Sequence, residues 1–304
     1  MALAGCANAE MPLRVAVNGW IGYASLFLAQ EQGHAPEAVV RLVEFPSNTA
    51  SVMALLNHDV AAAALTLDEL LQAREGGLNI RAAMVFDESC GADVVMAHPR
   101  VATLADLRGK RIGVESTAVG ALMLSRLLDA AGLPATALVK VPLTADRHVA
   151  AYTSGAVDAV ITFEPMASRL QQQGAHRLLD SSRFPGLIVD VLAVSADIDL
   201  RQAAQLRQLI QGHFQAIQHL QAHPAHAARL LSPHLQLASD AVLEAFKGIR
   251  MADAQDNRQW LAGSQPRLQA SARAVGQTML DSRLLQRPAD VADLCDPSFL
   301  TESA

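Results

Sequence analysis

Aromatic side chains are scarce in this 304-residue chain, at 4% of the total with two Trp and two Tyr. Trp20 and Tyr23, three residues apart, therefore place half of the Trp and Tyr in a single loop. An excess of basic residues is also lacking. Lys and Arg number 24 against 30 Asp and Glu, for a formal net charge of −6. That balance excludes a nucleic-acid partner, which needs a basic stripe. No apolar run reaches the roughly 18 residues that a membrane span requires. Cysteine is limited to three residues. Cys90 and Cys295 are far apart and no CxxC pair exists, so neither a disulfide nor a cysteine metal site is expected. No cofactor is expected either. The hydrophobic fraction of 51% against 18% charged is that of a globular chain, long enough for two lobes with separate cores.

The periodicity alternates between strand and helix. Strands are predicted over 13–17, 39–45, 60–65 and 80–86, and helices over 21–32, 49–57 and 67–74. Ser47 or Asn48 caps the second helix and Thr66 the third. The strands are nearly all apolar, as in parallel sheets covered on both faces. A polar knot, Asp87-Glu88-Ser89-Cys90-Gly91-Ala92-Asp93, then interrupts the apolar character. Beyond it the alternation restarts, with strands over 111–114, 138–141, 156–162 and 177–179 and helices over 119–130, 145–153 and 165–173. Residues 187–194 form a long apolar run suited to a returning strand. From 200 to about 280 the pattern is helical with no strand, and the tail wraps the surface. Leu56-Asn57-His58-Asp59-Val60-Ala61-Ala62 is echoed by Thr153-Ser154-Gly155-Ala156-Val157-Asp158-Ala159. In both, a helix ends, a turn carries an Asp and a small-residue strand follows, so Asp59 and Asp158 are assigned to turn geometry.

These features describe two α/β halves joined by two crossings. Lobe I is expected to comprise 13–90 and 193–304, lobe II 91–192, with a hinge near 87–97 and 187–195 and a spacer over 1–12. A ligand between such lobes contacts loops at the carboxyl ends of strands.

Gly19-Trp20-Ile21-Gly22-Tyr23 with Leu28-Ala29, the two Asp-bearing repeats, the Asp87–Asp93 cluster, Asp106-Leu107-Arg108-Gly109-Lys110 and Phe163-Glu164-Pro165 together resemble a known family. It is the periplasmic solute-binding proteins of the nitrate/sulfonate/taurine class, which are SsuA/TauA-like and NMT1/THI5-like. The resemblance implies a two-lobed type II periplasmic-binding fold, with parallel-rich sheets flanked by helices and a two-stranded hinge. It also implies delivery of a small solute to an ABC permease; a sensory module of the same fold, reporting to a membrane receptor, is the alternative. Yeast-type thiamine-precursor enzymes share the fold, but their cysteine-rich cluster is absent here. Leu3-Ala4-Gly5-Cys6 looks like the lipobox of bacterial lipoproteins, which would make Cys6 a lipidated anchor in the periplasm or on the outer face of the cytoplasmic membrane. Residues 1–5 lack the basic and apolar regions of an export signal, so this reading requires coding sequence upstream. A monomer is expected.

The candidate ligand contacts are Trp20, Tyr23, Thr66, Asp87, Ser116, Thr117, Glu164 and Asp190. Trp20 and Tyr23 occupy a polar, glycine-flanked loop that is a poor place to bury aromatics, and the resemblance puts a ligand-facing aromatic there. Thr66 and Ser116-Thr117 start helices whose free N–H groups can hold an anion, and the two starts are expected to face each other across the cleft. Asp87 and Glu164 end strands in the two lobes. Asp190 lies alone in an apolar run, where burial demands a partner. Asp93 fits either the crossing or the site. Cys90 with His98 is the pair an enzyme would offer, but no base is positioned by sequence and no enzyme activity is expected. His219 and His223 share one helix face, which is read as solvated because no acidic partner accompanies them.

Carboxylates dominate the strand ends, with Glu44, Asp87, Glu88, Asp93, Glu115, Glu164 and Asp190 against Arg147 and His148. Acids beside an indole suit an amine or other cationic nitrogen. The expected ligand is a small nitrogen-bearing or zwitterionic solute, an amino-sulfonate being one form; a simple sulfonate or nitrate-type anion is the alternative.

Overall fold

The alternation of strands and helices resolves into two separate sheets in the computed structural model, which describes residues 11–300. Cys6, the candidate lipidation site, lies outside the described residues. Strand β1 (Leu13–Val17) leads through a 3-10 turn to helix α1 (Ala24–Glu31), followed by β2 (Val40–Glu44), α2 (Asn48–Leu56), β3 (Ala62–Thr66), α3 (Leu67–Glu75) and β4 (Ile80–Ser89). The chain then passes to β5 (Asp93–Ala97), β6 (Arg111–Val114), α4 (Ala118–Ala131), β7 (Val139–Pro142), α5 (His148–Thr153), β8 (Ala159–Phe163), α6 (Met166–Gln172) and β9 (His176–Asp180). It returns through β10 (Val189–Ser195) to α7 (Leu200–Ala222), α8 (Pro224–Leu235), α9 (Ser239–Phe246), β11 (Ile249–Met251), α10 (Ala254–Leu261) and α11 (Arg267–Asp281).

The first sheet has the order β11-β4-β10-β3-β1-β2 and the second β7-β6-β8-β5-β9. The sequence echo is visible in both. A parallel trio, β2-β1-β3 or β7-β6-β8, is extended by an antiparallel strand, β10 or β5. Helices cover both faces of each sheet, which is why inner strands such as β3 and β8 are almost wholly apolar. One face of the first sheet packs Leu26, Leu206, Leu209 and Leu231 from α1, α7 and α8, and the other packs Leu70, Trp260 and Val275 from α3, α10 and α11. Asp158 keeps its expected structural role, since it receives Arg111 N–H at 2.9 Å and the side chains of Arg100 and Arg111 at the turn before β8.

Two expectations are corrected. The polar cluster is not a loop from Asp87 onward, because β4 continues through Ser89. Asp87 and Glu88 pair with Asp190 and Val189 on one side and with Met251 and Arg250 on the other. Neighbouring strands satisfy the backbone there, so polar side chains are carried in regular strand. The segment after residue 200 also holds a strand, β11, whose three residues Ile-Arg-Met are too few to show alternation.

Only Cys90, Gly91 and Ala92 separate β4 from β5. Ser89 N–H donates to Ile188 O at 3.0 Å, and Gly91 N–H to Ser181 Oγ at 2.7 Å, tying the two crossings together. Gly248 O accepts both Cys90 N–H at 2.8 Å and Ala92 N–H at 3.0 Å. A Cβ on Gly248 would lie 2.8 Å from Ala92 N and 3.0 Å from its Cα, with backbone as the obstacle. Gly248→Ala is therefore expected to lower stability by about 1–3 kcal/mol, as overpacking does. The urea midpoint measures this; an unchanged midpoint would show that the crossing does not depend on this close approach.

Candidate ligand-binding site

The loop after β1 is organised by its own side chains. Asn18 Oδ1 accepts Trp20 N–H at 2.9 Å, and Asn18 Nδ2 donates to Asn48 Oδ1 at 2.6 Å. Asn48 Nδ2 in turn donates to Glu69 Oε2, which also accepts Thr66 N–H at 3.2 Å at the start of α3. Ser47, not Asn48, caps α2, leaving Asn48 free for this network.

Trp20 and Tyr23 are buried, contrary to the expectation for a polar loop. Each places its polar end on an acid, which is what permits burial. Trp20 Nε1 donates to Asp87 Oδ2 at 3.2 Å, and Tyr23 OH donates to Asp190 Oδ1. Thr66, Asp190 and Asp87 lie in register across β3, β10 and β4, so the two acids are direct cross-strand neighbours. The second sheet contributes Phe163, which meets Trp20 edge-on with ring centroids 5.7 Å apart, and Asp93, which pairs with Phe163 in the sheet.

These elements enclose a cavity of about 20 Å³ between the sheets. Asn18, Trp20, Tyr23, Asn48, Thr66 and Asp190 line it from the first sheet's side. Asp93, Glu115, Val119 and Phe163 line it from the second. A wider space of about 460 Å³ shares Glu115 and forms the outer part of the cleft; Ser47, Thr49, Ser116, Thr117 and Arg147 are among its lining residues. Thr117 caps α4 by accepting Gly120 N–H at 3.2 Å. Ser116 and Thr117 thus share that outer space with the start of α2. Thr66 sits in the inner cavity instead, because α3 begins two strands further inward than α2, at β3 beside β10.

Electrostatics single out the inner cavity. Burial pushes Asp87 up to about 8, and Asp93 and Glu115 each to about 7. Burial, reinforced by the charge of Asp87, raises Asp190 well above the usual carboxyl range. Glu69 is raised by burial and by neighbouring Asp68, itself moved by burial to about 6. Asp93 Oδ2, Glu115 Oε1, Asp190 Oδ2, Asp87 Oδ1 and Glu69 Oε1 are buried without a hydrogen-bond partner. Nearby cations are engaged elsewhere. Arg177 binds Glu164 at 2.7 Å, and Arg250 and Arg267 bind Glu88 at 3.1 and 3.3 Å. His148, counted from sequence as a basic group, is fully buried against Thr162 Oγ1, and burial lowers it to about 4, so it is neutral. Arg147 reaches only the outer space.

Trp20, Tyr23, Thr66 and Asp190 therefore line the inner cavity, and Ser116 and Thr117 its approach. Asp87 is not on the cavity wall; it backs Trp20. Glu164 is also withdrawn, because Oε1 holds Arg177 and Oε2 accepts Ser168 N–H at 3.0 Å at the start of α6. Asp93, open to either role from sequence, is on the wall. Asn18, Asn48, Glu69 and Phe163 are not among the contacts expected from sequence, although Phe163 belongs to the Phe163-Glu164-Pro165 motif. Cys90 is half-buried at the crossing with Arg250 Nη2 3.8 Å from its sulfur, and it does not line the cavity. His219 Nε2 of α7 and His226 Nδ1 of α8 lie 2.9 Å apart at the exposed junction of the two helices. Among the described residues no group of three or more His, Cys, Asp or Glu could hold a metal ion.

Residues 20–227 match the family model described as NMT1/THI5 like, more than half of the chain. The chain belongs to the NMT1/THI5-like family. Its fold is that of the periplasmic binding proteins. The alkanesulfonate-binding protein SsuA from Xanthomonas axonopodis pv. citri, solved with MOPS bound, is 20% identical over 95% of this chain and 99% of its own, with a TM-score of 0.78. The periplasmic aliphatic sulphonate-binding protein SsuA from Escherichia coli is 18% identical over 94% and 97%, with a TM-score of 0.74. The desulfurization enzyme DszB is 20% identical over 96% and 98%, with a TM-score of 0.68. No curated protein matches the sequence. The fold of this NMT1/THI5-like chain thus serves both binding and chemistry in its neighbours, and function must be argued from the site.

Proposed function

We propose that this protein is an extracytoplasmic solute-binding protein that captures a small nitrogen-bearing or zwitterionic solute between two lobes, for delivery to an ABC importer. The lobes correspond to 13–90 with 193–304 and to 91–192, closing about crossings near 87–97 and 187–195. The observation that carries the reading is the set of buried carboxylates with unpaired oxygens around a cavity built from both sheets. Such groups are costly to bury without a partner, and a cationic nitrogen supplies one. The sulfonate-binding neighbours favour a second reading, an anion held in the outer space beside Arg147 and the starts of α2 and α4. A zwitterion combines the two, with its nitrogen inward and its acid outward.

A thermal-shift screen of amines, amino-sulfonates, sulfonates and nitrate tests the reading, since a ligand for the folded state raises apparent stability. Nitrogen-bearing solutes are expected to raise Tm, and Trp20→Ala to weaken them at least about tenfold by removing the cavity wall and the donor to Asp87. Shifts from simple anions alone, unaffected by Asp190→Asn, would exclude a cationic nitrogen.

A further inference from the structure

The inner cavity contains more than negative charge; it has a count and a size. Three carboxylates line it, and each keeps one oxygen buried and without a hydrogen-bond partner: Asp190 Oδ2, Asp93 Oδ2 and Glu115 Oε1. The residues are 1%, 5% and 8% exposed, so these atoms are withdrawn from bulk solvent. Of the remaining polar capacity nearby, Thr66 Oγ1 is also on the wall and buried without a partner, a hydroxyl able to accept a further hydrogen bond; the rest is already directed. Asp190 Oδ1 is taken by Tyr23 OH, the Trp20 indole N–H by Asp87, and the amides of Asn18 and Asn48 by each other and by Glu69. No Lys, Arg or His lines the cavity.

From this geometry we infer that the solute carries a primary ammonium group, which enters the inner cavity and donates its three N–H bonds to Asp93, Glu115 and Asp190. The inference rests on the proposed solute-binding function and narrows its ligand class. A primary ammonium has three donors and no acceptor, matching three acceptors with no free donor among them. The space of about 20 Å³ holds one water-sized group, which is the size of an ammonium head. The remainder of the solute extends past Glu115 into the wider outer space. A quaternary ammonium in an aromatic cage is the competing cationic arrangement. It fits poorly here for two reasons. Trp20 and Phe163 pack edge-on against each other and leave no gap between their rings for a trimethylammonium. A group without N–H would also leave all three oxygens desolvated and unpaired. The arrangement takes one carboxylate from the first sheet and two from the second side, so the ammonium ties the lobes together.

The test titrates the full chain at pH 8.5 with ethanolamine, N,N-dimethylethanolamine and choline, read by calorimetry and thermal shift. Ethanolamine is expected to bind. Each loss of N–H weakens binding, and choline is weaker than ethanolamine by about a hundredfold or more, the effect of losing charge-assisted hydrogen bonds. Asp93→Asn and Glu115→Gln are expected to weaken ethanolamine about tenfold or more each. Because they remove crowded like charges, the same variants should melt no lower than the parent without ligand, which separates a binding effect from misfolding. Choline binding as tightly as ethanolamine would overturn the inference. If a nitrogen heterocycle or a tertiary amine binds while ethanolamine does not, the primary-ammonium assignment fails and the solute-binding function stands. If only sulfonates or nitrate bind, both fail.

Discussion

Without ligand, the protein is expected to melt about 5 °C lower at pH 8.5 than at pH 6.5. The buried carboxyls set the direction. In the folded state Asp87 is raised to about 8 and Asp93 and Glu115 to about 7, whereas the ordinary values are 3.8 for Asp and 4.5 for Glu. The folded state therefore binds more protons than the unfolded one across this interval, and stability falls as pH rises. The protonated groups contribute fully below the unfolded values, and the contribution is lost as pH climbs through the folded ones. Between pH 6.5 and 8.5 the three groups together lose roughly 3 kcal/mol, an upper limit because opening the cleft rehydrates them. The window matters. Burial lowers His148 to about 4 and His213 to about 3, and these groups make stability rise with pH up to about their ordinary value near 6.5. Starting at pH 6.5 leaves the carboxyls dominant. Calorimetry at constant ionic strength measures the slope. Saturating amine should flatten it, because the cation replaces the protons, and Asp93→Asn should reduce it. A flat ligand-free profile would show that water reaches these acids and that the cavity is not closed.

Gly22→Ala is expected to abolish solute binding and to cost about 1–3 kcal/mol in stability. The Trp20 indole and Asp87 meet beside Gly22. A Cβ there would sit 1.9 Å from Asp87 Oδ2 and 2.6 Å from Trp20 Nε1. Neither can retreat easily, since Asp87 belongs to a central strand and Trp20 is packed against Phe163. Their hydrogen bond must break, leaving a buried carboxylate without its indole donor and displacing the cavity wall. The neighbouring Gly19 is the control, because a Cβ there meets nothing within 4 Å and Gly19→Ala should bind and melt like the parent. Urea midpoints and calorimetric titration separate the two variants. Equal behaviour of Gly22→Ala and Gly19→Ala would mean that Trp20 does not depend on Asp87.

Part of the candidate site was legible from residue type and position. Trp20 and Tyr23 stood out because aromatics are rare in this chain, and Asp190 because a lone acid in the apolar run 187–194 demands a partner. Asp87 and Glu164 do not line the inner cavity, for one reason. A strand end fixes where a residue lies, not what it faces, and both were already engaged by side chains distant in sequence, Trp20 and Arg177. Glu69 lies in the first turn of α3, where an acid is ordinary, and its link to Asn48 depends on packing between α2 and α3.

Sequence alone established that the chain alternates strand and helix around a repeat, that its strands are covered on both faces, and that its strand ends are acidic. Those properties follow from local periodicity, capping and composition, which act over a few residues. Tertiary structure decided the rest. The antiparallel insertion of β10 between β3 and β4 aligns Asp190 with Thr66 and Asp87, a register no local pattern encodes. The approach of the second sheet then brings Asp93 and Glu115 to the same small cavity. Which of the many acids lack a partner is a property of that assembly, because a carboxylate's partner is chosen by what packs beside it.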